Sequence, residues 1–235
     1  MRSLLFLGVT LAAAAGLRAA PLQFSSGDSQ TSLIELYTSE GCSSCPPAEK
    51  WMASLRDSPA LWHDFVPVAF HVDYWNRLGW PDRFSTREFT QRQYDYGTKW
   101  GGDDKVYTPC IVVDGFIQGK GPATASAAPG KLMTSYDGGT LHAEFSPATP
   151  RKGDKFEIHA AILGGGITSK VTAGENRGAT LHHEFIALAS AHAALGKDFT
   201  LPVPKTAGVP HHALAVWVTR RGDPTPLQAT GGWLD

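Results

Sequence analysis

Two cysteines three positions apart, Cys42-Ser43-Ser44-Cys45, lie between a short apolar run and a pair of prolines. This junction constrains the fold more than any other part of the chain. The run before it, TSLIELY from Thr31 to Tyr37, is apolar and partly β-branched, the pattern of a buried strand. After it, Pro46-Pro47 opens a helical pattern from Ala48 to Leu55. Prolines are tolerated in a first turn because those N–H groups lack intrahelical partners anyway. Thiols at a helix N-terminus face unpaired N–H groups and the positive end of the helix dipole, which favour an anion. There a thiol pKa can fall from ~8.5 to roughly 3.5–7.5. The thiolate then attacks a disulfide, and the second cysteine resolves the mixed disulfide. In this reading Cys42 is the nucleophile, Cys45 resolves, and Ser43 and Ser44 donate hydrogen bonds to the thiolate. Two other readings fit the motif. One is half of a zinc site, although no second CxxC or Cys/His pair follows at metal spacing. The other is a structural disulfide.

The remaining elements follow in a recognisable order. Phe65 to Val72 reads as a second buried strand. A Trp-rich insertion begins at Asp73, and a helical stretch runs from Thr86 to Tyr96. Val106 to Val113, interrupted by Thr108-Pro109, leads to Asp114-Gly115, a turn signal for a hairpin with Phe116-Ile117. A further helix is expected near Pro122 to Tyr136, broken at Pro129-Gly130. This is the order of an α/β thioredoxin-like domain, here residues 30–137. Beyond it the texture changes. Leu141–Phe145, Lys155–Ile162, Ile167–Val171, Leu181–Leu188 and Ala213–Val218 are short runs separated by glycine and proline clusters. They predict a smaller, mostly-β, sandwich-like domain over 138–235.

That arrangement selects further residues. Thioredoxin-like folds set a cis-proline against the disulfide, with backbone free to pair with a substrate strand. Thr108-Pro109 stands at that place, and a trans edge proline is the alternative. Cys110 follows directly, as a third redox thiol or as a small buried hydrophobe. Glu35, seven positions before Cys42, aligns with the buried acid that thioredoxins carry six before the nucleophile, to move the resolving thiol's proton, given one extra loop residue; a solvent-facing strand residue is the alternative. Trp75, Tyr74 and Trp80 offer an apolar wall for a peptide, or form a packed structural insertion. Asp73 has Arg77 and Arg92 as candidate partners. His71 reads as a proton carrier or metal ligand, or as a core histidine. The doublets His182-His183 and His211-His212 point their rings to opposite faces of a strand, so neither chelates readily. The candidate set is Cys42, Cys45, Pro109 and Glu35 for catalysis, and Thr108, Trp75 and Tyr74 for substrate, with Cys110 as a third thiol. No cofactor and no metal site is assigned.

Charge and the N-terminus bound the setting. A net charge of −1 over 235 residues gives no electrostatic case for nucleic acid or an anionic membrane surface. With 42% hydrophobic and 18% charged residues the chain is globular rather than disordered. Met1-Arg2, the apolar run Leu4–Leu17 and Ala19-Ala20-Pro21 match a secretory signal peptide over residues 1–20. The run is short of the ~20 apolar residues a transmembrane helix needs. Arg18 interrupts the Ala-x-Ala cleavage pattern, so a retained N-terminal anchor is the alternative. Export to the periplasm or medium places the thiols in an oxidising compartment. Three cysteines do not make a disulfide scaffold, and one is left over.

Several segments together resemble a bacterial family called domain of unknown function 1223. They are ELYTSEGCSSCPPAE (Glu35–Glu49), HVDYWNRLGW (His71–Trp80), REFTQRQYDYG (Arg87–Gly97), VYTPCIVVDG (Val106–Gly115) and GENRGATLHHEFIAL (Gly174–Leu188). The resemblance covers nearly the whole mature chain. It implies an exported protein of thioredoxin-like fold and implies no particular reaction. Cys110 departs from the family's usual amide or apolar residue after Thr-Pro. Compared with thioredoxin, the dipeptide is Ser-Ser rather than Gly-Pro, and Gly41 replaces the tryptophan before the first cysteine. The leading expectation is an exported thiol–disulfide oxidoreductase acting on protein thiols or a redox partner protein. Two alternatives stand beside it. One is a soft-metal protein binding copper through Cys42, Cys45 and Cys110, with His71 as an optional further ligand, since thiolates select Cu(I). The other is a non-enzymatic binding module with a structural disulfide.

Overall fold

The computed structural model describes residues 20–102, 105–117 and 129–235. In chain order the elements are β1 (Leu22–Ser25), β2 (Ser32–Thr38), α1 (Pro46–Ser54), β3 (Phe65–His71), α2 (Arg87–Lys99), β4 (Cys110–Val113), β5 (Phe116–Ile117), β6 (Gly130–Asp137) and β7 (Thr140–Pro147). Then follow β8 (Phe156–Gly165), β9 (Ile167–Lys170), β10 (Thr180–His183), β11 (Ile186–Ala194), β12 (Phe199–Thr200), β13 (His211–Arg220) and β14 (Pro226–Trp233). The predicted fold class is overturned. The described chain is mostly β with two α-helices, not an α/β thioredoxin-like domain followed by a smaller β domain. The physical reason is strand pairing. β3 does not end the sheet of the first half; β11 pairs with it in parallel, at Ile186 and Ala69. One eight-stranded sheet therefore runs β14-β13-β8-β11-β3-β2-β4-β5 through residues on both sides of position 138.

β2 and β3 are buried at every position because both their faces are covered, which is why they read as continuous apolar runs. They pair in parallel, with Leu36 beside Ala69 and Thr38 beside His71. Alternation then sorts the side chains. Leu36, Thr38, Ala69 and His71 face α1, while Glu35, Tyr37 and Phe70 face α2. α2 begins at Thr86, whose hydroxyl accepts a hydrogen bond from the Phe89 N–H, an N-cap. The Asp114-Gly115 turn forms as expected: both residues have positive φ, 50° and 86°, and Val113 pairs with Phe116.

A four-stranded sheet, β1-β6-β7-β12, packs on the larger one. β6 and β7 alternate buried and exposed positions, and Leu132, Leu141, Phe145, Ile158, Ile162 and Val216 form a second core between the sheets. The helix predicted over Pro122–Tyr136 is another correction. Residues 130–137 are strand β6, whose two-residue burial period excludes a helix, and the segment before position 129 lies outside the described residues. The signal peptide expected over residues 1–20 lies outside them too, apart from Ala20. No described helix is long and apolar enough to cross a membrane.

Candidate functional site

Cys42 and Cys45 are joined in a disulfide. Cys45 is the N-cap of α1, no side chain caps that helix, and Pro46 and Pro47 occupy its first two positions. The Ser44 hydroxyl lies 3.4 Å from the Cys42 sulfur. Both cysteines are 0% exposed. Part of what covers them is the turn between β9 and β10. Glu175 accepts hydrogen bonds from the backbone N–H and the hydroxyl of Ser43, at 3.2 and 2.8 Å. The Asn176 amide donates to the carbonyls of Glu40 and Cys42, at 2.9 and 3.0 Å.

The predicted substrate residues sit on the other flank of this turn. Gly41 packs against Trp75 so closely that a Cβ there would lie 3.2 Å from the Trp75 Cβ, which rationalises glycine before Cys42. The Trp75 indole N–H donates to the Thr108 hydroxyl at 2.8 Å, and Tyr74 packs its ring beside Trp75. The Thr108–Pro109 peptide is cis. The structure thus brings the disulfide turn, Trp75, Tyr74 and Thr108-Pro109 into one neighbourhood.

Glu35 and Cys110 are held elsewhere. Glu35 is fully buried on the α2 face, where Arg92 Nε (2.6 Å), the Tyr96 hydroxyl (2.6 Å) and the Tyr37 hydroxyl (3.1 Å) donate to its two oxygens. Cys110 pairs with Tyr37 across β4 and β2, so it shares that face. It is a buried free thiol whose pKa burial pushes up to about 11, with Tyr107 and Glu35 as polar neighbours. Arg92 also lies over the Trp217 ring, 4.9 Å from its centroid. Beyond it an open cleft of about 760 Å³ runs between α2 and strands β8, β11 and β13, lined by Arg92, His159, His192 and Trp217 among others. Burial, with Arg92 and His192 adding to it, pushes His159 down to about 3.

The opposite face holds a cluster of buried acids and histidines beneath the disulfide turn. His71 Nδ1 is 2.6 Å from Asp82, whose two oxygens also accept the backbone N–H groups of Glu40 and Phe84. Burial works against the Asp82 charge, but His71 and these N–H groups hold its pKa down at about 2. His183 Nδ1 is 2.6 Å from Glu49, and Glu49 accepts the Thr38 hydroxyl at 2.6 Å. His183 Nε2 lies 3.3 Å from Glu40, not aligned for a hydrogen bond. Burial disfavours its charge, yet contact with the two glutamates outweighs this and holds its pKa up at about 9. Trp80 donates its indole N–H to the other Glu40 oxygen. His182-His183 does split across the strand, with His183 buried and His182 exposed.

Of this cluster the sequence offers His71, as a proton carrier or metal ligand, and His183, within its doublet. Glu40 and Glu49 flank the cysteines at short range, but nothing local in PPAEKWMAS, which also carries Lys50, sets Glu49 apart. Asp82, His183, Glu175 and Asn176 come from distant segments, and only the fold joins them. Among the described residues, Glu49, His71 and His183 are the one group of His, Cys, Asp or Glu whose donor atoms all lie within 4.8 Å of one another. No cysteine belongs to it, so the copper set of Cys42, Cys45 and Cys110 is not brought together.

These features define a mostly-β protein with an intrachain disulfide at a helix N-terminus, set over a buried acid–histidine cluster. The family described as Protein of unknown function (DUF1223) matches residues 33–219, and the chain belongs to that family. No curated protein matches it. Two solved structures are similar. The X-ray structure of protein AGR_C_4864 from Agrobacterium tumefaciens has a TM-score of 0.59 at 21% identity, covering 88% of this chain and 95% of that one. HBP35 of Porphyromonas gingivalis has a TM-score of 0.54 at 13% identity, covering 89% of this chain and 77% of that one. At these identities the likeness concerns the fold alone.

Proposed function

We propose that this chain is an exported thiol–disulfide oxidoreductase whose Cys42–Cys45 pair exchanges electrons with protein dithiols. The observation that supports it best is the position of the pair. It sits at the N-terminus of α1, at the positive end of the helix dipole, beside a turn fastened to Ser43 by Glu175. Cys42 stabilised as a thiolate is the expected consequence of that position. In the oxidising direction a substrate thiolate attacks the Cys42 sulfur and Cys45 leaves as the thiolate. The substrate's second thiolate then attacks the mixed disulfide and releases Cys42. Two electrons pass from the substrate dithiol to the pair, and the substrate leaves as a disulfide. Since both sulfurs are buried, a neighbouring segment has to move aside first, and the β9–β10 turn, hydrogen-bonded to Ser43 and Cys42, is our candidate. The exported setting follows from the apolar leader Leu4–Leu17.

The test is the reduction potential of the pair in the mature chain, together with exchange against a protein dithiol. A potential in the range of exchange catalysts, roughly −270 to −120 mV, and loss of exchange in Cys42→Ser support the proposal. A second reading, a structural disulfide in a binding module, is favoured by the zero exposure of both sulfurs. A potential below about −300 mV, or full exchange activity in Cys42→Ser, decides for it against the first.

A further inference from the structure

We propose that Glu49, His71 and His183 form a site for a divalent transition-metal cation of the zinc class, inside the protein and independent of the three thiols. One donor atom of each lies within 4.8 Å of the others, and the residues come from three separate elements, α1, β3 and β10. His71 carries the strongest evidence. It is 0% exposed and its Nε2 has no hydrogen-bond partner, yet its ring lines the same small cavity as Glu49 and His183. A buried ring nitrogen without a partner costs about 1–3 kcal/mol, so native proteins rarely leave one. A water molecule is the usual remedy, but this cavity has no room for one. A metal ion requires less space. Zinc lies about 2.0–2.2 Å from nitrogen and oxygen donors, whereas a hydrogen-bonded water sits about 2.8 Å away.

The surroundings have the arrangement that orients metal ligands. A ligating histidine generally donates its other ring N–H to a carboxylate or carbonyl, which fixes the ring and its tautomer. His71 has Asp82 on Nδ1 at 2.6 Å, and Asp82 is itself held by two backbone N–H groups. At His183 the pairing is looser: Glu40 stands 3.3 Å from Nε2 without a hydrogen bond and is itself held by Trp80. This leaves His71 Nε2 and His183 Nδ1 for the ion, with Glu49 as the carboxylate ligand and Thr38 bonded to its second oxygen. Glu49 and His183 now share a proton across 2.6 Å. The cation takes that place and the proton leaves to solvent. Two imidazoles and one carboxylate suit zinc and its neighbours in the first transition row. Calcium and magnesium favour all-oxygen sites, and Cu(I) favours sulfur.

Equilibrium dialysis of the metal-free mature chain against Zn²⁺, with metal analysis, gives the first readout. About one equivalent should be retained, and thermal unfolding should shift upward with free Zn²⁺. A Cys42→Ser/Cys45→Ser/Cys110→Ser chain should bind equally well. Loaded with Co²⁺, it should show the visible bands of a low-symmetry nitrogen–oxygen site and no thiolate charge transfer. His71→Gln should lose the equivalent, and Asp82→Asn should weaken it about 10–100-fold, as loss of an orienting carboxylate does. Should the His71 variant fail to fold, Co²⁺ added to the wild type decides. Paramagnetic shifts of amide NMR signals then have to centre on His71 and His183 rather than on exposed His211. No retained metal, retention by a folded His71→Gln, or shifts centred elsewhere overturns the site. None of these outcomes bears on whether the disulfide exchanges electrons.

Discussion

The two faces of β2 and β3 carry buried charge in opposite ways. On the α2 face, Glu35 is a closed account: each of its oxygens receives hydrogen bonds, from Arg92 and Tyr37 on one and Tyr96 on the other. On the α1 face, Glu40 Oε1, His71 Nε2 and His183 Nε2 are buried without hydrogen bonds. The cavity lined by His71, His183 and Glu49 on the α1 side is too small for water, while the α2 side opens onto a cleft of about 760 Å³. A low-dielectric interior strengthens satisfied polar networks and penalises unsatisfied ones. The satisfied network is therefore read as architecture. The unsatisfied one is where the proposed cation site lies.

The harshest way to break this comparison is to unbalance the satisfied face. Arg92→Met removes the only cationic partner that Glu35 has among the described residues, and the Glu35 side chain is wholly buried. Truncating one member of a buried ion pair typically costs about 3–5 kcal/mol, because the remaining charge is left unpaired. Urea unfolding at neutral pH measures it. A loss under about 1 kcal/mol would mean that the two tyrosines suffice and that the network is not what holds β2 to α2.

Acid probes the same face with a smaller effect. His159 stacks on Trp217 and borders the cleft, and its pKa is pushed down to about 3. An unfolded histidine titrates near 6.5, so between these values the unfolded chain binds the extra proton and stability falls as pH falls. By pH 5 the expected loss from this residue is at most about 2 kcal/mol. His159→Phe keeps a ring against Trp217 and removes the proton. Stability measured from pH 7 to pH 5 should therefore fall less steeply in that variant. An unchanged slope would assign the acid sensitivity to other groups.

How much of this was legible in the sequence depended on distance along the chain. β2, α1, β3 and the Asp114-Gly115 hairpin could be read because periodicity, proline placement and turn chemistry are local. The Leu181–Leu188 run read as one strand, yet Phe185, at a φ of 58°, separates β10 from β11. That break lets β11 pair with β3 and join the halves into one sheet, an outcome that no local pattern encodes. The candidate site divides the same way. The disulfide motif and Thr108-Pro109 announce themselves by residue type. The histidine–carboxylate cluster does not, since His71 reads equally as a core histidine, Asp82 as a loop residue and His183 as half of a doublet that splits across a strand. The alternation of β2 could have separated Glu35 from Thr38, but only pairing with β4 shows that Cys110 shares the side of Glu35.

The gentlest change bears on the α1 side, where the disulfide turn is fastened from outside. Glu175 contacts Ser43 through exposed hydrogen bonds, so Glu175→Ala should cost less than about 1 kcal/mol of stability. Its effect on kinetics should be easier to detect. Thiol–disulfide exchange depends on access to the attacked sulfur as well as on the thiols' pKa values. With Glu175 gone, Asn176 is left to hold the β9–β10 turn over the cysteines. The rate of reduction by a small dithiol should then rise, while the potential of the pair stays nearly constant, because both redox states lose the same weak contact. Asn176→Ala should act in the same direction. If both variants reduce at the wild-type rate, the turn is not the barrier. Burial beneath Trp75 and α1 would then have to account for it, and the two flanks of the disulfide would exchange roles.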